Sequence, residues 1–192
     1  MGGKSAVSRY IHVMKNSLAG PDLVTIPLVD TGRAGPLALV EAEPDRFRAI
    51  FHSGESHYGP AFLRLGDRLT RTWLDHADTP YAAEMAAVSR KSGRPGADML
   101  NLSYEWSCTS AVGCPPSGQG NRLLRTLDWP LDGLGRNVVV ARHAGDAGPW
   151  YNVTWPGFVG TATAMAPGRF AAAINQPPMK RHTASCWVDW AV

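Results

Sequence analysis

The hydrophobic pattern of this 192-residue chain changes period near residue 98, and that change limits the folds open to it. Before it, apolar residues recur at helical spacing. Phe62, Leu65, Leu69 and Trp73 share one face of a helix predicted over 60–77, opened by Pro60 in its first turn. Arg64, Asp67, Arg68 and Arg71 lie elsewhere on it, and Asp67 and Arg71 form an expected i,i+4 pair. Asp78-Thr79-Pro80 reads as a cap and an N1 proline, which predicts a second helix over 80–90. Pro44 to Phe51 reads as a short helix, Leu23 to Leu28 and Leu37 to Val40 as short strands, and Gly93 to Asp98 as a loop.

After residue 98 the segments shorten and turn sequences separate them. Met99 to Trp106, Cys108 to Cys114, Arg122 to Trp129, Asn137 to His143, Trp150 to Trp155, Val159 to Met165 and Phe170 to Asn175 read as strands. Pro115-Pro-Ser-Gly-Gln-Gly120, Gly145-Asp-Ala-Gly-Pro149 and Ala166-Pro-Gly-Arg169 are turn sequences. Helices followed by a meander of strands is the α+β pattern. The 20 Gly and 15 Pro agree with it and exclude a plain helix bundle. The expected organisation is one domain over 1–192, without repeats or an internal linker.

Charge and composition exclude several classes. The net charge is +3 with no long basic block, so no nucleic-acid partner is expected, and Arg33, Arg46 and Arg48 read as solvated surface. No apolar run is long enough for a membrane span. Met1 to Lys15 is polar, so no secretory signal is read and a cytoplasmic location is expected. Cys108, Cys114 and Cys186 are odd in number and lack metal-site spacing, which predicts free thiols. The run from His52 to His57 misses the G-x-S-x-G elbow by one residue, and its two His are wrongly spaced for a helical zinc pair. It reads as a polar loop leading into Pro60. Asn101-Leu-Ser103 and Asn152-Val-Thr154 match the glycosylation sequon, which means nothing without secretion.

The segment with most chemistry is Cys108, set between Ser107 and Thr109-Ser110, with Arg125 and Asp128 beyond a Gly/Pro-rich turn. A hairpin of 108–114 with 122–129 places Arg125 and Asp128 on the strand beside Cys108. A cation near a thiol favours the thiolate, which is the nucleophilic form. The competing reading is a small buried hydrophobe at a strand start.

Tyr104-Glu105, Cys108-Thr109-Ser110 and Arg125-Thr-Leu-Asp128 together resemble the acid ceramidase and N-acylethanolamine acid amidase branch of the N-terminal nucleophile (Ntn) hydrolases. The similarity to the choloylglycine hydrolases and penicillin V acylases is more distant. Trp155-Pro-Gly-Phe-Val-Gly160, Ala166-Pro-Gly-Arg-Phe170 and Ala173-Ile-Asn175 look like the same family's next strands, so the resemblance covers 99–179. It implies antiparallel strands of an αββα sandwich, with 1–107 as the segment before the nucleophile and 108–192 as the start of the catalytic segment. It implies that the chain cuts its own Ser107–Cys108 bond. The Cys108 sulfur is then the nucleophile and the freed α-amine the general base. Arg125 and Asp128 orient nucleophile and amine and recognise substrate, and Asn175 helps hold the oxyanion.

The implied activity is hydrolysis of a non-peptide C–N amide bond in an N-acyl compound, with no cofactor or metal. An acyltransferase and a non-catalytic binding domain on the same fold are the alternatives. Trp106, Trp129, Trp150, Tyr151 and Trp155 suit an apolar pocket or a core. The family carries a further Asn and Arg well beyond the position of Asn175, and only 17 residues follow it here, so an incomplete copy of the enzyme is expected.

Overall fold

The computed structural model describes residues 24–101 and 107–175. Their elements run β1 (Leu28–Gly32), α1 (Pro36–Ala42), α2 (Pro44–Tyr58), α3 (Pro60–His76), α4 (Ala82–Ser92) and α5 (Ala97–Asn101). Then follow β2 (Ser107–Gly113), β3 (Arg122–Asp128), a 3-10 turn (Leu134–Asn137), β4 (Val139–Gly145), β5 (Gly148–Thr154), β6 (Thr163–Ala166) and β7 (Phe170–Ala173). The class is α+β, as the change of period predicts. Proline opens each of α1, α2 and α3, where its missing N–H costs nothing and its fixed φ suits the first turn.

One sheet has the order β1-β4-β5-β6-β7, and β2-β3 form a separate antiparallel pair. The larger sheet is mixed, which departs from the expected all-antiparallel arrangement. β1 runs parallel to β4 with Leu28 opposite Val140, while β4 through β7 are antiparallel neighbours. The alternation of side chains divides the sheet's faces. Val139 and Ala141 pack with Leu39 of α1 on one face. On the other, Val140, Tyr151, Val153, Met165 and Ala171 line a cavity, whose wall also includes Leu123 and Leu127 of β3. The main core joins Phe47, Ile50, Phe51, Leu63, Met85, Val88 and Leu100 of the helices to Trp129, Trp155 and Phe158. No helix among the described residues is long and apolar enough to cross a membrane.

Several local expectations are corrected. The segment from Leu37 to Val40 is helical, because Pro36 starts a turn there and Leu39 and Val40 reach the core. The strand expected over Leu23 to Leu28 begins instead at Leu28; Leu23 lies outside the described residues. The helix begun at Pro44 runs through the whole His52–His57 segment to Tyr58. Its buried positions Phe47, Ile50, Phe51 and Gly54 keep the helical period across that polar run. A Cβ on Gly54 would come within 3.0 Å of Leu100, so glycine is what lets α5 approach. Ala97 to Asn101 is a helix rather than part of a loop and a strand; Leu102 to Trp106 lie outside the described residues. Val159 to Ala162 is not strand: Pro156 and Gly157 turn the chain, and Asn101 holds it.

Helix α3 departs most. Its buried residues are Leu63, Asp67 and Thr70, while Phe62, Leu65 and Leu69 are exposed. The expected Asp67–Arg71 pair does not form. Asp67 accepts backbone N–H groups of Gly96 at 2.6 Å and Met99 at 3.1 Å, capping α5. Arg71 Nε donates instead to Asp98 Oδ2 at 2.7 Å. Burial raises the Asp98 carboxyl above its ordinary range, against the pull of Arg71.

Both sequon asparagines do structural work. Asn101 donates to the carbonyls of Ala97 and Gly157 and accepts from Val159 N–H, tying α5 to the loop after β5. Asn152 is buried within β5 and donates to the Gly160 carbonyl. Arg33 and Arg48 pair with Asp146 and Asp45 on the exposed surface, in line with a solvated reading. Arg46 is half-buried and ties α2 to Glu43 and to the carbonyls of Thr25 and Arg136.

His143 on β4 stacks on Trp150 at 4.2 Å, and its Nδ1 meets Thr31 Oγ1 at 3.0 Å. Desolvation pushes its imidazole below the ordinary 6.5, with Asp30 opposing. The unfolded chain therefore takes up this proton first as pH falls below 6.5, and folding loses stability there. Urea midpoints measured from pH 7.5 down to 5 are expected to fall more steeply for wild type than for His143→Gln. Parallel curves would remove His143 as the cause.

Candidate active site

β2 and β3 pair with Cys108 opposite Leu127, Ser110 opposite Arg125 and Ser107 opposite Asp128. Residues directly opposite share a face. Cys108, Ser110, Arg125 and Leu127 therefore stand on one face of the hairpin, and Ser107 and Asp128 on the other. Three residues along a strand change the face, so Arg125 and Asp128 cannot both turn toward the thiol from a regular strand. The burial of β3 follows the same alternation: Leu123, Arg125 and Leu127 are half-buried, while Asp128 is exposed.

Arg125 Nη2 donates to Cys108 Sγ at 3.2 Å and to the carbonyl of Ile174 at 3.1 Å. The guanidinium thus bridges the sulfur to the chain just after β7. Ser110 Oγ donates to Asn175 Oδ1 at 2.8 Å, which brings Asn175 to the strand that carries Cys108. Cys108, Arg125 and Asn175 are thus linked through one face of the hairpin, and Asp128 stands on the other face opposite Ser107. Ser110 and the Ile174 carbonyl have positioning contacts that residue type and spacing do not reveal, because both depend on β7 returning beside the hairpin.

Arg125 also reaches the wall of the cavity between the two sheets, which has a volume of about 1040 Å³. Apolar side chains dominate that wall, and its charged residues among those described are Arg125 and Asp132. Cys108 does not line it; Arg125 connects sulfur and cavity. The Arg125 Nε is buried with no acceptor, a donor oriented without a partner. A buried unmet donor is costly, so the contacts made by Nη2 must hold the guanidinium in place.

The aromatic residues divide between the two expected roles. Trp129 and Trp155 belong to the core and also line the cavity, and Trp129 Nε1 donates to Tyr58 Oη at 3.2 Å. Tyr151 lines the cavity, whereas Trp150 stacks on His143. Trp106 lies outside the described residues, as do Tyr104, Glu105 and Cys186. Cys108 and Cys114 are free thiols, the first half-buried and the second exposed. Among the described residues no group of three or more His, Cys, Asp or Glu is placed to hold a metal ion.

No protein-family model matches the chain, and no curated protein matches it either. The functional reading therefore stands on the residues and their geometry.

Proposed function

We propose that the protein is an amidohydrolase of the Ntn type, acting on a non-peptide C–N bond of an N-acyl compound with Cys108 as nucleophile. The observation that carries this reading is the Arg125 guanidinium, 3.2 Å from Cys108 Sγ and part of the wall of an apolar cavity. In this mechanism the chain first cuts its Ser107–Cys108 bond, which frees the α-amine of Cys108. That amine takes the thiol proton, and the sulfur attacks the substrate carbonyl carbon. The tetrahedral intermediate collapses, the C–N bond breaks, and the leaving amine departs with the proton. Water then attacks the thioester, releasing the carboxylic acid and restoring the thiol. The acyl chain occupies the apolar cavity, Arg125 holds the sulfur, and Asn175 donates to the oxyanion through Nδ2. The αββα sandwich belongs to the same proposal.

The outward position of Asp128 favours a second reading, a binding domain that holds an N-acyl ligand in the same cavity without turnover. Alkylation separates the two. Iodoacetamide with peptide mapping is expected to modify Cys108 faster than its half-burial alone permits, at a rate that drops in Arg125→Gln. The exposed Cys114 is the internal reference, having no guanidinium in hydrogen-bond contact among the described residues. Labelling confined to Cys114 would leave only the binding reading. For the enzyme reading, release of amine from N-acyl amides of graded chain length is the decisive assay, with Cys108→Ala as control.

A further inference from the structure

Away from the cavity, the polar face of α3 carries Arg64, Arg68 and Arg71 at i, i+4 and i+7, which aligns them along one side of the helix. Arg94, in the connection from α4 to α5, joins them around a cleft of about 340 Å³. The cleft shares no lining residue with the cavity beside Arg125.

The acids near this cleft are already engaged. Asp67 is buried and spends both oxygens on the backbone N–H groups of Gly96 and Met99. Asp98 is 2% exposed, and its Oδ2 receives Arg71 Nε and, at 3.2 Å, Ser89 Oγ. Arg71 is thereby fixed in place, with Nη2 on Ser89 Oγ at 3.3 Å. Arg94 reaches Glu55 only at 3.9 Å. Arg64 and Arg68 have no ion pair among the described residues. Four guanidinium groups thus line one concavity against a single lining carboxylate, in a chain whose whole net charge is +3. Helix α3 and the α4–α5 connection carry them, and an anion would meet the positive charge that Asp98 and Glu55 leave over this cleft.

We propose that this cleft binds a phosphate group, a monoester or diphosphate borne by a small molecule. The guanidinium fork matches the geometry of phosphate oxygens, and several forks distribute over a multiply charged anion better than over one carboxylate. The cleft's volume lies at the lower end of the ~300–1000 Å³ usual for ligand sites, which suits a compact ligand. Arg71, pinned by Asp98 and Ser89, is the preorganised contact, and Arg64, Arg68 and Arg94 close on the ligand from the rim.

Calorimetric titration of the full chain with inorganic pyrophosphate at low salt tests this. Saturable 1:1 binding is expected, weakening as salt rises and weakening about tenfold or more in Arg68→Gln/Arg94→Gln, since a charge-assisted contact contributes about 1.5–3 kcal/mol. Both substituted side chains are exposed, and circular dichroism verifies the fold. Arg48→Gln, an exposed arginine outside the cleft, should leave affinity unchanged. A parallel arm uses phosphatidylcholine vesicles doped with phosphatidic acid. Binding there alone, abolished by the double substitution, would support the cleft and place the phosphate on a lipid headgroup. Absence of saturable binding to either probe would overturn the proposal. So would affinity that survives the double substitution, or an equal loss in Arg48→Gln.

Discussion

Edman sequencing of the purified protein should return Cys-Thr-Ser-Ala beside the original N-terminus, with intact masses for fragments 1–107 and 108–192. Cys108→Ala should return a single, whole chain. The expectation follows from the local geometry. Ser107 and Cys108 open β2, so the bond between them is the first of the strand, at the open end of the hairpin. Arg125, opposite Ser110 on the same face, donates to the sulfur, and the expected step is attack of Cys108 Sγ on the preceding carbonyl. Attack there converts the Ser107–Cys108 amide into a thioester and frees the amine. Water then releases the upstream fragment. Asp128, opposite Ser107 on the other face, takes no part in this step. Activity on N-acyl amides should follow the same pattern and vanish in Cys108→Ala, because nucleophile and base come from one residue. Arg125→Gln should retain some cleavage and lose activity by about tenfold or more, the share of a charge-assisted contact that positions the sulfur. Wild-type chain that stays whole through acid and neutral incubation would defeat the mechanism. Fragments appearing equally from Cys108→Ala would show an outside protease.

The hairpin was the most legible part of the chain. Its strands are bounded by Pro115-Pro-Ser-Gly-Gln-Gly120, and turn chemistry of that strength sets a pairing register within a residue or two. Spacing alone therefore placed Arg125 beside Cys108. It could not sort Arg125 from Asp128, since that depends on which face of a period-two strand each occupies. Short apolar runs were the least legible. Leu37 to Val40 suits strand or helix equally, and Pro36 with the packing on β4 decided for helix. The parallel pairing of β1 with β4 joins residues more than a hundred positions apart, so no local signal carries it. The apolar cavity was foreshadowed by Trp129, Tyr151 and Trp155. The buried carboxylates Asp67 and Asp98 were not, because each is satisfied from another element: Asp67 of α3 by the N–H groups of Gly96 and Met99, and Asp98 of α5 by Arg71 of α3 and Ser89 of α4.

Helix α3 offers the sharpest contrast between pattern and packing, and it can be measured. The apolar stripe of Phe62, Leu65 and Leu69 selects one face, yet Leu63 is the residue with 0% exposure, while Leu65 and Leu69 are 52% and 56% exposed. Two features override the stripe. Asp67 anchors the opposite side of the helix to α5 through two backbone N–H groups. Gly66 lets Met99 come so close that a Cβ would overlap its side chain. Together they turn Leu63 into the main core. Leu63→Ala should therefore cost about 3 kcal/mol, within the ~2–5 kcal/mol typical of a fully buried leucine, because both the transfer energy and the cavity count against it. Leu65→Ala and Leu69→Ala should each stay within about 0.5 kcal/mol of wild type, as exposed positions do. Urea unfolding reads the difference as a large fall in midpoint for Leu63→Ala, with unchanged slope, and almost none for the other two. If Leu65→Ala or Leu69→Ala destabilises as much as Leu63→Ala, then the apolar stripe is the buried face and the orientation of α3 is wrong. The arginine cleft would fall with it, since Arg64, Arg68 and Arg71 face Arg94 only when Leu63 and Asp67 point inward.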